Sequence, residues 1–285
     1  MRTMKSKNAF YAQSGGVTAV INASAAGVIN SCRENKNKIN RLYAGLNGIV
    51  GALREEMVDT TYESDEDISG LCHTPGGAFG SCRYKLKRFQ DDPTEYYRLI
   101  EVFKAHNIGY FFYNGGGDSA DTCLKVSKIS KKLGYPIQAI HIPKTIDNDL
   151  PFTDSSPGFG SVAKYVATSV REASLDIQSM CASSTKVFIL EVMGRHAGWI
   201  AASGGLAKDQ IGDAPHLILF PEGPCSRGKF IDKVELTVSK KGYCVVVASE
   251  GIRYRDGAHI SGSLHKDAFG HQQLGGVAPA LASMI

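Results

Sequence analysis

Pro143-Lys144-Thr145-Ile146-Asp147-Asn148-Asp149 sets a cation, a hydroxyl and two carboxylates directly behind the apolar run 137–142. That order reads as a β-strand delivering a polar loop at its carboxyl end, where open α/β sheets hold their ligands. Phosphoryl transfer needs a base to take a proton from the attacking hydroxyl, and cations to carry the charge of the moving group. Asp147 is a candidate base and Lys144 a candidate cation. Taken alone, the segment would equally suit a solvated turn held by Asx hydrogen bonds.

Two glycine turns lie upstream. Asn114-Gly115-Gly116-Gly117-Asp118-Ser119 follows the apolar run 108–113 and precedes a helical pattern carrying Leu124, Ile129 and Leu133. A glycine run between strand and helix lets backbone amides approach an anion, and the helix amino terminus adds a positive dipole. Asp118 or Ser119 would also serve as the helix N-cap, which is a purely structural use. Near the amino terminus a short strand, 9–13, runs into Ser14-Gly15-Gly16, a second cradle of the same construction. Neither turn has the Gly-Lys-Ser/Thr ending of a P-loop or the spacing of a dinucleotide fingerprint.

Five segments together identify a relationship: SGGVTAVINA (14–23), GAFGSCRYK (77–85), GGGDS (115–119), PKTIDND (143–149) and EVMGRHAGW (191–199). VVVASEG (245–251) and GHQQLGG (270–276) extend it. In this order and spacing the chain resembles the phosphofructokinases, in the group similar to the pyrophosphate-dependent enzymes. The resemblance implies two Rossmann-like α/β/α domains with mostly parallel sheets. It implies a reversible transfer from pyrophosphate to the 1-hydroxyl of fructose 6-phosphate, giving fructose 1,6-bisphosphate and phosphate. Magnesium is the implied cofactor, and a homodimer or homotetramer the implied assembly.

The site residues implied by the resemblance fall on this sequence one at a time. Asp147 matches the general base, with Thr145, Ile146 and Asp149 beside it in the substrate loop and Asp149 as magnesium ligand. Met193, Gly194 and Arg195 match the segment that grips the sugar phosphate, Arg195 with a catalytic part. Glu250 matches a carboxylate on the sugar hydroxyls. His271 and Lys186 match contacts to the sugar phosphate, Lys186 reaching in from a neighbouring subunit. Lysine there gives a point charge where the ATP-using relatives carry an arginine fork. Gly15, Gly16, Arg83, Gly116, Gly117, Asp118, Ser119 and Lys144 match the donor site, with Arg83 bridging donor and acceptor phosphates.

Donor choice follows from two of these. ATP-using relatives carry glycine at the positions of Asp118 and Lys144. A carboxylate at Asp118 would stand where the α-phosphate of a nucleotide must pass, and Lys144 offers pyrophosphate a substitute anchor. Asp118 and Lys144 thereby join Asp147 and Arg195 as expected catalytic groups. Two departures from the family pattern stand out. Gly117 replaces the Asp or Asn expected to help bind magnesium, and the family is expected to run on well beyond Leu281-Ala282-Ser283-Met284-Ile285. Two other readings remain beside the catalyst: an ATP-dependent sugar or lipid kinase of similar fold, and a non-catalytic regulatory subunit.

Composition agrees with an ordinary globular enzyme, 43% hydrophobic and 21% charged. A net charge of +4 is too small and dispersed to argue for nucleic acid. Seven cysteines without a Cys-x-x-Cys pair give neither a disulfide framework nor a zinc site, and suit a reducing compartment. No run approaches the ~20 apolar residues that span a bilayer, so a cytoplasmic, non-membrane protein is expected. Runs 187–192, 216–220 and 244–248 read as buried parallel strands. Val162, Val166, Val170, Ala173 and Ile177 mark one face of a helix over 161–179. The break at Asp154-Ser155-Ser156-Pro157-Gly158 divides the chain into a donor domain, 1–158, and a sugar-phosphate domain, 159–273, with 274–285 returning to the first. The resemblance places the cleft between the two.

Overall fold

The computed structural model describes residues 6–266 and 272–285. The chain forms two compact units, Met1–Thr145 and Ile146–Ile285.

The first unit runs β1 (Lys7–Gln13), α1 (Ile21–Glu34), β2 (Ile39–Gly45), α2 (Ile49–Arg54), β3 (Met57–Asp59), α3 (Asp65–Gly70), α4 (Thr94–Ala105), β4 (Ile108–Gly115), α5 (Gly117–Lys132) and β5 (Gln138–Pro143). Its sheet has the order β3-β2-β1-β4-β5, with β3 antiparallel to β2 and the other pairs parallel. Side chains alternate across a strand, and β1 splits accordingly. Phe10 and Ala12 join Phe103, Phe111 and Tyr113 in one core. Ala9 and Tyr11 join Ala25, Leu42 and Ala44 in the other. Both faces are covered, so the unit has three layers. After β1 the chain turns to β2 on one side and later returns to β4 on the other. The strand order therefore reverses between β1 and β4, and the crevice at their carboxyl ends is where such sheets bind ligands.

The second unit runs α6 (Phe159–Met180), β6 (Val187–Val192), α7 (Trp199–Ser203), β7 (Leu217–Leu219), α8 (Arg227–Lys241), β8 (Cys244–Ser249), β9 (Gly262–Lys266), β10 (Gln272–Leu274) and α9 (Val277–Ala282). Its parallel sheet has the order β6-β8-β7, and β9 and β10 form a separate antiparallel pair. Every residue of β8 is buried. Val245 and Val247 face the α6 side with Val166, Val170 and Ile177. Cys244, Val246 and Ala248 face Phe230 and Val234 of α8 and Val277 and Leu281 of α9. The α/β/α expectation is met in both units.

Several local expectations shift. Gly116, not Asp118 or Ser119, caps α5, and both of those residues lie inside its first turn. The two compact units meet between Thr145 and Ile146. The segment 274–285 belongs to the second unit, where α9 packs on β6 and β8. On α6, Ala163 and Ser174 are buried where Val162 and Ala173 are only half-buried. No described helix is long and apolar enough to cross a membrane.

Candidate active site

In the first unit the candidate residues collect at the carboxyl ends of β1, β4 and β5. The turn after β1 is tied to β4, Ser14 N–H donating to the Asn114 carbonyl at 2.8 Å. Gly15 N–H donates to the Cys82 carbonyl at 2.9 Å, and Ser81 Oγ donates to the Gly15 carbonyl at 2.7 Å. These bonds bring the segment carrying Arg83 and Lys85 onto the glycine turn. Gly15 has φ +77°, and a Cβ there would lie 3.4 Å from Lys144 Nζ. A Cβ on Gly16 would lie 3.7 Å from the Arg83 guanidinium.

Lys144 joins the two glycine turns. Its side chain is buried, its ammonium donates to the Gly16 carbonyl, and its backbone N–H donates to the Gly115 carbonyl at 3.1 Å. Beyond Gly115, α5 begins; Ser119 N–H donates to the carbonyl of the N-cap Gly116 at 3.0 Å, while the amides of Gly117 and Asp118 precede the helix's own hydrogen-bond ladder. A Cβ on Gly115 would fall 2.1 Å from Ser119 Oγ, so the turn closes only over glycine. Asp118 stands at the head of α5 with Lys85 Nζ 3.2 Å from its carboxylate. Two turns of amides with Arg83, Lys85 and Lys144 around them make a seat for a compact polyanion.

Beneath this seat lies a buried polar network. Tyr11 Oη accepts from Asn114 Nδ2 at 3.0 Å and from Gln13 Nε2 at 3.3 Å. Asn22 donates to the Thr74 carbonyl at 2.8 Å and accepts from Ala78 N–H at 2.9 Å. Burial raises the Tyr11 phenol pKa, so it stays protonated. The sequence reading missed this network, whose only sign is polar Gln13 and Asn114 closing otherwise apolar strands.

His141 Nε2 donates to the Gly115 carbonyl at 2.9 Å. Burial is the main cause holding its pKa below the usual histidine value. A depressed histidine adds stability in full above its unfolded pKa of about 6.5, lost as pH falls from there through the folded value. Urea unfolding should show stability falling from pH 7 to pH 5, with a shallower fall in His141→Gln. Equal slopes would remove His141 from that role.

In the second unit Asn148 organises the acidic loop. It is buried with φ +55°, a conformation asparagine tolerates better than most residues. Its Oδ1 accepts from Ser156 N–H at 2.7 Å and its Nδ2 donates to the Asp154 carbonyl at 3.2 Å. Asp147 and Asp149 flank this anchor, the first half-buried and the second exposed. Thr145 and Ile146 precede them, and Ile146 packs against the second unit's core. Asn148→Ala should destabilise by about 2–4 kcal/mol, from two lost hydrogen bonds, one of them to buried Ser156, and a strained backbone. Chemical denaturation measures this, and a change below about 0.5 kcal/mol would show that the loop is held by something else.

The carboxyl ends of β6 and β8 bring Met193, Gly194 and Arg195 beside Ser249, Glu250 and Gly251. Glu250 N–H donates to the Val192 carbonyl at 2.8 Å, and Gly194 N–H approaches Glu250 Oε1 at 3.4 Å. Ser249 Oγ donates to the Gly194 carbonyl. A Cβ on Gly251 would fall 2.1 Å from the Arg195 carbonyl oxygen, so the two segments touch backbone to backbone. Met193 is exposed and Arg195 half-buried.

The profile of the family described as Phosphofructokinase matches residues 8–285. The chain belongs to the phosphofructokinase family. It is 67% identical over 282 residues to the pyrophosphate–fructose 6-phosphate 1-phosphotransferase of Halomonas elongata, covering 99% of this chain and 67% of that protein. The protein of the same name from Methylococcus capsulatus is 63% identical over 282 residues, with the same coverage. The crystal structure of the pyrophosphate-dependent phosphofructokinase from Marinobacter aquaeolei superposes with a TM-score of 0.85 at 63% identity, over 98% of this chain and 64% of that one. The chain thus spans about two thirds of the length of these phosphofructokinases.

Two expected residues stand apart. Lys186 is exposed at the amino end of β6, the opposite end from Met193–Arg195, or roughly 20 Å along the strand at about 3.3 Å per residue. His271 lies outside the described residues. Gly117 has open space around it, with nothing within 4 Å of a Cβ placed there, so sterics do not require glycine. Among the described residues no three His, Cys, Asp or Glu side chains are grouped to hold a metal ion. A thin donor set such as Asp149 alone fits magnesium, which keeps several waters and binds through one or two carboxylates plus substrate phosphates.

Proposed function

We propose that this chain carries the machinery for reversible phosphoryl transfer between pyrophosphate and the 1-hydroxyl of fructose 6-phosphate. The observation that carries the reading is Lys144, whose buried ammonium and backbone amide link the two glycine turns. The amides of Gly16, Gly116, Gly117 and Asp118 would hold pyrophosphate beside Gly15 and Ser119, with Arg83 and Lys144 on its charge. Met193, Gly194 and Glu250 would hold the sugar, with Thr145 and Ile146 beside it.

In the forward direction Asp147 takes the proton of the 1-hydroxyl as the sugar oxygen bonds to one phosphorus of pyrophosphate. The bond from that phosphorus to the bridging oxygen breaks, and phosphate leaves. Arg195 and Lys144 carry the charge that builds on the transferring group, the kind of fixed electrostatic stabilisation that usually contributes most. Magnesium held by Asp149 and the phosphates would neutralise further charge. Both donor bonds are of similar energy, so the reaction runs either way. Lys186, far from Met193–Arg195 within its own chain, would act on a neighbouring subunit of a homodimer or homotetramer. All seven cysteines are free thiols, which supports a cytoplasmic setting.

The test is turnover of fructose 6-phosphate with magnesium, comparing pyrophosphate and ATP as donors. Activity with pyrophosphate alone is expected. Activity with ATP alone would overturn the donor assignment, and inactivity with both would favour a regulatory subunit.

A further inference from the structure

We propose that Asn22 is a positioning residue for the donor seat, clamping the strap 74–83 so that Arg83 stands over the glycine turn after β1. The proposal deepens the pyrophosphate reading and rests on it for the identity of the ligand. Apart from the bridge of Cys82 to Ser14, the chain over 74–93 has no helix or strand of its own. Irregular stretches of such length are usually functional loops or disordered ones, and the strap is held at three places. At its start, Asn22 in the first turn of α1 takes two of its backbone groups. Asn22 Nδ2 donates to the Thr74 carbonyl at 2.8 Å, and its Oδ1 accepts from Ala78 N–H at 2.9 Å. In the middle, a Cβ on Gly77 would fall 2.7 Å from Gln13 Oε1, and the Phe79 ring meets Tyr11 edge-on with centroids 6.1 Å apart. At the end, Ser81 and Cys82 bond to Gly15. Arg83 is the next residue.

Asn22 is also the hold that ties the strap to both glycine turns. It is buried, and its Oδ1 accepts a second time, from Gln13 Nε2 at 3.3 Å. Gln13 Nε2 reaches Tyr11 Oη, which Asn114 Nδ2 shares. Gln13 directly precedes Ser14-Gly15-Gly16, and Asn114 directly precedes Gly115-Gly116-Gly117. One buried network therefore underlies both turns and the strap, and such networks rigidify what they connect. Within it Asn22 uses both of its amide atoms, whereas Gln13 Oε1 and Asn114 Oδ1 are buried without a partner among the described residues. The fixed point is thus Asn22. Its role is indirect: it acts on the ligand only through the strap, by setting where Arg83 stands. That is enough, since a displacement of about 1 Å in a working group can cost on the order of a hundredfold.

Calorimetric titration of the full chain with pyrophosphate and magnesium, in the absence of sugar, reads the seat without turnover. Asn22→Ala should raise the pyrophosphate dissociation constant about tenfold, because a charged contact is misplaced and not deleted. Affinity for fructose 6-phosphate should move less than about twofold, as expected of an independent site. Because the effect passes through Arg83, the same substitution in an Arg83→Gln background should add less than about twofold. Gly77→Ala, whose new methyl pushes the strap off Gln13, should give the same pattern. It decides the matter by the same ratios if Asn22→Ala does not fold. An unchanged pyrophosphate affinity, a loss shared equally with the sugar phosphate, or the full loss retained without Arg83 overturns the proposal. If the wild-type chain binds ATP and not pyrophosphate, the donor assignment falls, while the same Arg83-dependent ratios measured with ATP still support Asn22. Binding of neither donor overturns both.

Discussion

Asp147→Asn should slow phosphoryl transfer by about 10² to 10⁴ with little effect on folding. The amide is close in shape to the carboxylate but cannot accept a proton, so the sugar hydroxyl must attack unassisted. At 1.36 kcal/mol per factor of ten, the loss corresponds to about 3–5 kcal/mol of transition-state stabilisation. The loop geometry makes this a clean comparison. Asn148 anchors the segment through Asp154 and Ser156, so the position of the neighbouring side chain should survive. KM for both substrates should stay within a few-fold, because the groups assigned to binding are untouched. A variant with wild-type kcat would take the base role from Asp147, and one that unfolded early would reassign it to structure.

The contrast between Asp147 and Asn148 illustrates what can be read from sequence. Chemistry that must be local leaves a local trace. The turns at Gly15-Gly16 and Gly115-Gly116-Gly117 are legible because an apolar strand must end where amides approach an anion. Likewise the runs 187–192 and 244–248 read as strands because buried parallel strands are continuously apolar. Strand β2 was not legible: Asn40 and Arg41 interrupt it, and Arg41 turns out to pair with Asp59 at 2.8 Å. Asn148 reads as one more polar loop residue, since its partners lie six and eight residues ahead. Those same bonds tie the turn 154–158, which has the composition of a linker, to the acidic loop.

Donor selection carries the second large effect. The double variant Asp118→Gly with Lys144→Gly should shift the ratio of kcat/KM for pyrophosphate over ATP by about 10² to 10³ towards ATP. Two unit charges of like sign about 4 Å apart repel by roughly 4 kcal/mol at an effective dielectric near 20, about a thousandfold. Lys85, 3.2 Å from the Asp118 carboxylate, offsets part of that repulsion. Both side chains are partly exposed, so water screens the rest, and the lower end of the range is the better expectation for Asp118→Gly alone. Lys144 acts in the opposite sense. Removing its buried ammonium takes the donor from the Gly16 carbonyl and the cation from the seat proposed for pyrophosphate. Lys144→Gly alone should therefore raise KM for pyrophosphate and lower stability, without admitting ATP. The two singles should differ in kind, one relieving a barrier and the other removing an anchor. Steady-state kinetics with both donors on all three variants separates them. If ATP use were unchanged in the double variant, the charge at the head of α5 would not be what excludes the nucleotide, and selection would have to lie in the shape of the seat.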